Sequence, residues 1–332
     1  MPDPNKAFTF IDLFAGIGGI RLAFEQAGCK CVFSCEYDRH CQETYRENFG
    51  ETPYGDIREI DAASVPDHDI LAGGFPCPAF SRAGVSSRNY YGIAHGFQDK
   101  TQGTLFFNVK DILKAKRPKM FLLENVKSLR SYDGGNAFKT IMAVLQDELD
   151  YNVSYQIIDA RRWVPQHRER IFLIGLRRDI FGDFGKFDFP SLPPGLGPKM
   201  GSILEKNADP KFGISDKNWE CLKRHAERHK AKGHGFGYGL VNGRSVARTL
   251  SHRYYKDGLE ILVERPGMNP RMLTPDECRK LMGFPEGFKI TPSKNEAYRQ
   301  FGNSVVVPVV AHLAKAMVSH LGRILASKCE QP

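Results

Sequence analysis

Short apolar runs alternate with amphipathic stretches through the first 180 residues of this 332-residue chain. A run without polar alternation, such as Met120 to Leu123, is typical of a strand buried on both faces. Apolar residues at helical spacing, such as Leu105, Val109 and Ile112, indicate helices between such strands. Strands that alternate with helices build a mostly parallel sheet. The pattern therefore predicts an α/β fold with a doubly wound, mostly parallel sheet.

The later part of the chain predicts a second, smaller domain. Regular alternation stops at residues 190–198, where four prolines and two glycines indicate a linker. Regular structure resumes near Arg271. The helix expected there begins with a capping box of Thr274 and Glu277 and ends at Gly283. A last apolar helix is expected over residues 308–325. We expect an α/β domain of residues 1–190 and 271–325, an inserted domain of residues 191–270 and a tail of residues 326–332.

Composition and charge limit the classes of protein. The formal net charge of +9 favours a polyanionic partner. Residues 217–256 hold ten lysines and arginines against two glutamates, which indicates a phosphate-contacting surface or a solvated helix face. The eight cysteines lack the spacing of a disulfide scaffold or a zinc site, so we expect free thiols and no metal. We expect neither a membrane span nor a signal peptide, and a cytoplasmic protein.

A glycine-rich turn and two carboxylates indicate a nucleotide site. Gly16, Gly18 and Gly19 follow the first expected strand and begin the first helix, where backbone can approach a ligand. Glu36 ends the second strand, where an acid can bind ribose hydroxyls. Asp56 could receive an adenine amino group, although an ordinary turn aspartate is the alternative. A tight turn without a ligand also remains open, because the loop lacks the dinucleotide pattern.

A cysteine between prolines follows the strand at residues 69–72. Cys77 would lie at the carboxyl edge of the sheet, as a nucleophile or as a buried structural thiol. Glu124 ends the central strand at the same edge, where a buried carboxyl could hold or donate a proton; a capping acid is the alternative. Arg168 and Arg170 alternate with Glu169 before another strand. They suit an anionic or carbonyl-bearing target or, alternatively, a surface ion-pair cluster.

Taken together and in this order, these motifs resemble the bacterial DNA cytosine-5 methyltransferases over almost the whole chain. The resemblance implies a Rossmann-like methyltransferase fold, with the inserted domain serving for target recognition. It also implies a transferase that uses S-adenosylmethionine and releases S-adenosylhomocysteine. The matching stretches are residues 12–16, 74–77, 124–126, 166–170 and 299–305.

The resemblance implies roles for individual residues. Cys77 would attack carbon 6 of a flipped-out cytosine, Glu124 would hydrogen-bond the ring nitrogen and amino group, and Arg168 would contact the carbonyl oxygen. Arg170 would orient Arg168, Glu124 or the following loop. The implied cofactor residues are Phe14, Gly16, Gly18, Glu36, Tyr37, Asp56, Ile57, Pro76, Leu105, Asn303 and Ser304.

The recognition segments look like those of the Dcm-type subgroup, which methylates the inner cytosine of CCWGG. The partners implied are double-stranded DNA and a cognate restriction endonuclease, with the enzyme a monomer in the bacterial cytoplasm, at the nucleoid. The DNA-binding residues we expect are Ser81, Arg82, Arg244, Arg248, Thr249, Arg253, Tyr254 and Lys256.

One departure and two alternatives accompany this interpretation. Pro78 stands where family members commonly carry Gln, which puts a contact of the following loop into doubt but not the nucleophile. A tRNA cytosine methyltransferase of the same fold is one alternative, although such relatives usually show Pro-Pro-Cys. A catalytically silent DNA-binding protein is the other.

Overall fold

A computed structural model describes residues 7–76, 105–182, 185–233, 237–257, 260–291 and 293–329. Its chain divides into two compact units. The first unit comprises residues 1–158, 169–191 and 310–332, and the second comprises residues 159–168 and 192–309.

The first unit is built on a six-stranded sheet with the strand order β2-β1-β3-β4-β6-β5. The pairs β1–β2, β1–β3 and β3–β4 are parallel, and β6 runs antiparallel to β4. The prediction of an α/β fold with a mostly parallel sheet is confirmed. The strands are β1 (Thr9–Leu13), β2 (Lys30–Cys35), β3 (Ile70–Gly74), β4 (Met120–Val126), β5 (Tyr151–Asp159) and β6 (Glu169–Arg177).

Helices cover this sheet, and for that reason its inner strands carry continuous apolar runs. Residues 120–123 of β4 are completely buried. One core cluster joins Ile11, Leu71 and Leu123 of the sheet to Phe106 and Val109 of a helix. The helices of this unit are α1 (Gly19–Gln26), α2 (Arg39–Phe49), α3 (Leu105–Lys116), α4 (Asn136–Ala143) and α5 (Arg178–Phe181).

The second unit contains a small sheet and several helices. Its strands β7 (Leu240–Val241), β8 (Leu262–Arg265) and β9 (Met268–Arg271) lie in sequence order. The capping box predicted at Thr274 and Glu277 is present. The helices are α6 (Asp216–Ala231), α7 (Tyr254–Asp257), α8 (Pro275–Leu281) and α9 (Lys294–Asn303), and α10 (Val307–Cys329) runs from this unit into residues of the first.

The compact units differ from the predicted domain boundaries. Residues 271–309 group with the second unit, whereas the sequence pattern assigned them to the α/β domain. The physical reason is a set of contacts to the expected inserted domain of residues 191–270. Arg271 pairs with Val263 across β8 and β9, and the buried ring of Tyr298 meets that of Tyr254 edge to face. The division into catalytic and target-recognition domains stays a prediction.

Residues 294–327 form a helical stretch that is long and apolar enough, by length and composition, to cross a membrane. Composition and length alone therefore do not exclude a membrane span here, and its absence stays an expectation. In the most apolar window of this stretch, 56% of the residues are buried inside the protein. Val310, Leu313 and Met317 of α10 are among the side chains that are completely buried. One such helix is weak evidence for a membrane span, since a core helix has the same composition.

Candidate functional site

The turn between β1 and α1 holds backbone in the left-handed region at three positions. Phe14, Gly16 and Gly18 have φ values of 58°, 56° and 86°. Phe14 is not a glycine, so its backbone conformation is strained, a feature that clusters at functional sites. A Cβ added at Gly16 would meet no atom within 4 Å, whereas one at Gly18 would clash with Phe49. The turn therefore presents backbone to open space at Gly16 and packs tightly at Gly18.

Glu36, directly after β2, lies beside this turn. Its Oε2 accepts the Gly16 N–H at 2.8 Å, and its Oε1 accepts the Asp38 N–H at 2.8 Å. The residue is only 8% exposed, and burial raises the pKa of its carboxyl, although the two backbone donors oppose the rise. The sequence places β1 and β2 side by side, and their carboxyl ends bring the turn and the acid together.

Asp56 comes to the same edge through a short extension of the sheet. Tyr54 bridges to Cys35 in parallel, and the Glu36 N–H donates to the Tyr54 carbonyl at 2.8 Å. The Nε of Arg58 donates to both carboxyl oxygens of Asp56, at 3.0 and 2.9 Å, and these bonds hold the pKa of Asp56 below its usual value. A ligand amine at Asp56 would therefore share the carboxylate with Arg58.

The other predicted cofactor residues differ in exposure. The Tyr37 side chain is 72% exposed, and Ile57 is 4% exposed beneath Asp56. Pro76 and Leu105 are half-buried at the two borders of the segment 77–104, which lies outside the described residues. Asn303 and Ser304 end α9 in the second unit, with Asn303 exposed and Ser304 half-buried.

Glu124 lies next to the backbone that leads to Cys77. It is opposite Gly74 in the β3–β4 register, and a Cβ at Gly74 would lie 3.2 Å from its Oε2. The buried Asn125 amide donates to the Phe75 carbonyl at 3.2 Å. These contacts fix the end of β3 against the end of β4. Cys77 itself lies outside the described residues, as do Ser81 and Arg82.

Arg170 forms an ion pair with Glu124 at the sheet edge. The Nε of Arg170 lies 3.1 Å from Oε1 of Glu124, with side-chain exposures of 18% and 12%. The pair forms because β6 is antiparallel to β4, so that the start of β6 meets the end of β4; Val126 is opposite Arg170. Of the three partners that the sequence suggested for Arg170, the structure shows Glu124.

Arg168 has a different environment from the one predicted. Its guanidinium is 2% exposed and donates to three backbone carbonyls: Leu250 at 2.8 Å, Gly302 at 3.0 Å and Ser304 at 2.8 Å. Arg168 therefore uses these donors to hold the protein backbone. The predicted contact of Arg168 with a base carbonyl oxygen is therefore not the role that its described contacts favour.

The predicted DNA residues of the second unit divide into exposed and buried ones. Arg244, Arg248 and Lys256 are exposed, and Thr249 and Arg253 are half-buried. The prediction for Tyr254 is wrong, because this residue is completely buried: its hydroxyl donates to the Ile261 carbonyl at 2.6 Å and accepts the Leu273 N–H at 2.8 Å.

Three residues without a predicted role contribute to these arrangements. Tyr255, next to the buried Tyr254, is 41% exposed. Asn125 holds the chain near Cys77, and Gln166 binds the backbone of Leu250 at 2.8 Å. Asn125 and Gln166 belong to motifs that the sequence analysis quoted, so their buried amides could have been singled out. Nothing in the sequence distinguishes Tyr255 from its neighbour.

The basic helix α6 presents its charge outward. None of its residues is buried, and an exposed cationic stripe recurs at helical spacing. The only ion pair described within the helix joins Lys223 to Glu220. The stripe consists of Lys217, Arg224 and Arg228.

These features fit a nucleotide-like ligand at the point where the strand order changes direction. The chain leaves β1 for β2 on one side, and β3 lies on the other, which is where doubly wound sheets bind ligands. Open backbone at Gly16, the buried carboxylate of Glu36 and the exposed ring of Tyr37 supply hydrogen-bonding and stacking groups. The fold and site thus define a nucleotide-cofactor enzyme of the Rossmann-like class.

Comparison with known proteins gives the family. The family model described as C-5 cytosine-specific DNA methylase matches residues 8–319. The Type II methyltransferase M.DsaV of Dactylococcopsis salina is 50% identical over 96% of this chain and 88% of its own length. The DNA-cytosine methyltransferase of Escherichia coli K12 is 44% identical over 99% of this chain and 81% of its own. The Entamoeba histolytica methyltransferase EhMeth superposes with a TM-score of 0.76 at 19% identity, covering 96% of this chain and 99% of that one, which shows a shared fold.

The chain belongs to the C-5 cytosine-specific DNA methylase family. It is an enzyme that methylates cytosine in DNA, and its methyl donor is S-adenosylmethionine. The resemblance noted in the sequence is confirmed at this level.

Proposed function

We propose that the enzyme methylates carbon 5 of a cytosine flipped out of a short duplex DNA site, through a transient bond between Cys77 and carbon 6. The observation that carries the proposal is the Glu124–Arg170 ion pair at 3.1 Å, next to Gly74 at the end of β3. A carboxyl and a guanidinium offer complementary groups for the polar edge of a pyrimidine, and Gly74 beside them precedes Cys77 by three residues in the sequence. A base inside a duplex cannot reach such groups, so it must leave the stack.

The chemistry requires each of these residue types. The Cys77 thiolate adds to carbon 6, and the electron pair of the 5,6 double bond makes carbon 5 nucleophilic. Glu124 hydrogen-bonds the ring nitrogen and amino group and stabilises the charge that develops. After carbon 5 has taken up the methyl group, loss of its proton and expulsion of the thiolate restore the double bond. S-adenosylmethionine supplies the electrophilic methyl group.

The two arginines exchange roles relative to the sequence-based interpretation. Arg170 lies on Glu124 and is only partly buried, so we assign it the contact with the carbonyl oxygen of the base and the orientation of Glu124. Arg168 is assigned to backbone support in the second unit.

The cofactor is proposed to bind at the turn after β1. Phe14, Gly16 and Gly18 shape the cradle, Glu36 binds the ribose hydroxyls, and Asp56 receives the adenine amino group. Glu36 is supported in this role because Gly16 and Asp38 hold its carboxylate in place. The further contacts proposed come from Tyr37, Ile57, Pro76, Leu105, Asn303 and Ser304.

DNA is proposed to contact the exposed part of the basic segment. The residues retained are Arg244, Arg248, Thr249, Arg253 and Lys256, with Ser81 and Arg82 from the segment after Cys77; exposed Tyr255 replaces Tyr254. We propose the inner cytosine of CCWGG as the target. The enzyme is proposed to act as a monomer in the cytoplasm, at the nucleoid, alongside a restriction endonuclease for the same site.

Methyl transfer to DNA with labelled cofactor tests this function. The wild type should label duplex DNA, Cys77→Ala should abolish labelling, and Cys221→Ala, which changes an exposed cysteine on α6, should leave it unchanged. Full activity of Cys77→Ala would refute the nucleophile. Labelling of tRNA in preference to DNA would favour the tRNA methyltransferase alternative.

Two further measurements complete the test. DNA that carries 5-fluorocytosine should trap a covalent complex, because the fluorine cannot leave as a proton does; absence of the complex would favour a catalytically silent protein. Bisulfite sequencing of DNA from cells that express the enzyme should show methylation at the inner cytosine of CCWGG. Methylation at another sequence would overturn that target alone.

A further inference from the structure

Residues 165–168 and 247–250 of the second unit run side by side. The His167 N–H donates to the Ala247 carbonyl at 2.8 Å, and the Ala247 N–H donates to the Pro165 carbonyl at 2.8 Å. The Thr249 hydroxyl donates to the His167 carbonyl at 2.7 Å. The predicted DNA-binding residue Thr249 is thus held by residues 165–168, a distant part of the sequence that we call the template.

Two side chains of this template hold both backbone groups of Leu250. The Leu250 N–H donates to Oε1 of Gln166 at 2.8 Å, and its carbonyl accepts from Nη1 of Arg168 at 2.8 Å. Leu250 is completely buried. The backbone of the residue after Thr249 is therefore fixed on both sides, and no backbone group of Leu250 is left to rotate.

The same Arg168 side chain holds the end of α9. Its Nη2 donates to the carbonyls of Gly302 at 3.0 Å and Ser304 at 2.8 Å. The last carbonyls of a helix lack partners within the helix and carry its negative dipole end, so a cation there is favourable. A Cβ at Gly302 would lie 2.3 Å from the Ser251 carbonyl oxygen, which shows that the two segments are in direct backbone contact.

Only a guanidinium can make this set of bonds. It is planar and presents five donors in a rigid fork, whereas a lysine ammonium is a single point on a flexible stem. Arg168 is 2% exposed, so each carbonyl that it releases would lose a partner in a place that water reaches poorly.

We propose that Arg168 couples the binding of DNA to the binding of cofactor, as a positioning residue and not as a catalytic one. This inference rests on the proposed function, which assigns Thr249 to DNA and Asn303 and Ser304 to cofactor. A ligand that shifts or stabilises one of the two segments does the same to the other, because one guanidinium holds both. Cofactor then binds more tightly in the presence of DNA, and DNA more tightly in the presence of cofactor, by the same factor.

Binding of S-adenosylhomocysteine, measured by calorimetry with and without a cognate DNA duplex, tests the coupling. The wild type should bind the cofactor product at least about fivefold more tightly on DNA, the lower end of usual coupling factors. Arg168→Lys should bring this factor close to one. Arg161→Lys is the matched control. It changes an arginine in residues 159–168 whose side chain is 64% exposed, and it should keep the wild-type coupling factor.

The outcomes separate the inference from the proposed function. A purely structural role for Arg168 would weaken both ligands without changing the coupling factor, and that result would overturn the proposal. A wild-type factor of one would also overturn it, while leaving the methyltransferase function intact. Failure of the wild type to bind either ligand would instead count against the proposed function.

A second variant guards against loss of folding in Arg168→Lys. Gln166→Met keeps the volume of the side chain but removes the acceptor for the Leu250 N–H. It should lower the coupling factor partially, because Arg168 still holds the carbonyl. A coupling factor equal to that of the wild type in this variant would show that Leu250 does not need to be fixed, and would contradict the mechanism.

Discussion

Asp12 makes the stability of this enzyme depend on pH in an unusual direction. The residue lies in β1 between Ser34 and Ala72 of the neighbouring strands and is completely buried. Neither carboxyl oxygen has a hydrogen-bond partner of acceptable geometry among the described residues. Burial raises the pKa of Asp12 from 3.8 to about 8, with smaller contributions from nearby acids, although the backbone N–H and guanidinium of Arg21 oppose the rise.

The sign and size of the effect follow from this pKa. In the folded protein the carboxyl is protonated at pH 7, while in the unfolded chain it is ionised above pH 3.8. Folding therefore takes up a proton between these limits, and the free energy of unfolding falls by about 1.4 kcal/mol for each pH unit in that range. The three units from pH 4 to pH 7 amount to about 4 kcal/mol, and the loss levels off above pH 8.

Asp12→Asn tests this reasoning, because an amide has the shape of the protonated carboxyl and cannot ionise. Urea unfolding of both proteins should be measured at pH 6, 7 and 8. The difference in unfolding free energy should shift by about 2 kcal/mol in favour of the variant from pH 6 to pH 8. Asp67→Asn, at a side chain that is 95% exposed, should give a flat difference. A flat difference for Asp12→Asn would refute the proton uptake.

Other substitutions test separate parts of the structure. Glu124→Gln should lower kcat about 10²-fold or more while leaving cofactor affinity near that of the wild type, measured in single-turnover methyl transfer; an unchanged kcat would remove Glu124 from the mechanism. Replacing the cationic stripe of α6 by glutamine should flatten the slope of log Kd against log salt by about 3, measured by fluorescence anisotropy with duplex DNA, and an unchanged slope would show that the stripe does not meet phosphates. Gly175→Ala should lower the free energy of unfolding in urea by about 1–3 kcal/mol, because its Cβ would lie 2.0 Å from the Phe121 ring. Gly287→Ala is the control and should change it little, because nothing lies within 4 Å of a Cβ there. Equal stabilities of the two variants would contradict the packing of β4 on β6.

The sequence predicted those parts of the fold that local patterns determine. Buried strands such as β4 show as apolar runs, and the capping box at Thr274 is a signal contained in four residues. The direction of β6 could not be predicted, because an apolar run reads the same in a parallel and in an antiparallel strand. The boundary between the two compact units falls between residues 191 and 192, within the predicted linker, but the second unit extends to residue 309 because of contacts between distant residues.

The sequence predicted which types of residue form the site better than it predicted the role of each residue. Arg168 and Arg170 are chemically the same and two residues apart, so their partners depend on where Leu250, Ser304 and Glu124 lie. Tyr254 and Tyr255 raise the same difficulty, since the buried ring is the one that packs against the distant Tyr298. Glycine turns and strand-end acids are easier, because their positions follow from the order of the strands.

The reversed direction of β6 has a practical meaning for recognising sites of this kind. In a purely parallel sheet, every side chain at the ligand edge comes from the last residues of a strand. Here the strand β6 meets that edge with its first residues, and its second residue, Arg170, brings a guanidinium there. A search that considers only the last residues of strands would find Glu124 and miss Arg170. The first residues of any antiparallel strand should therefore be inspected as well.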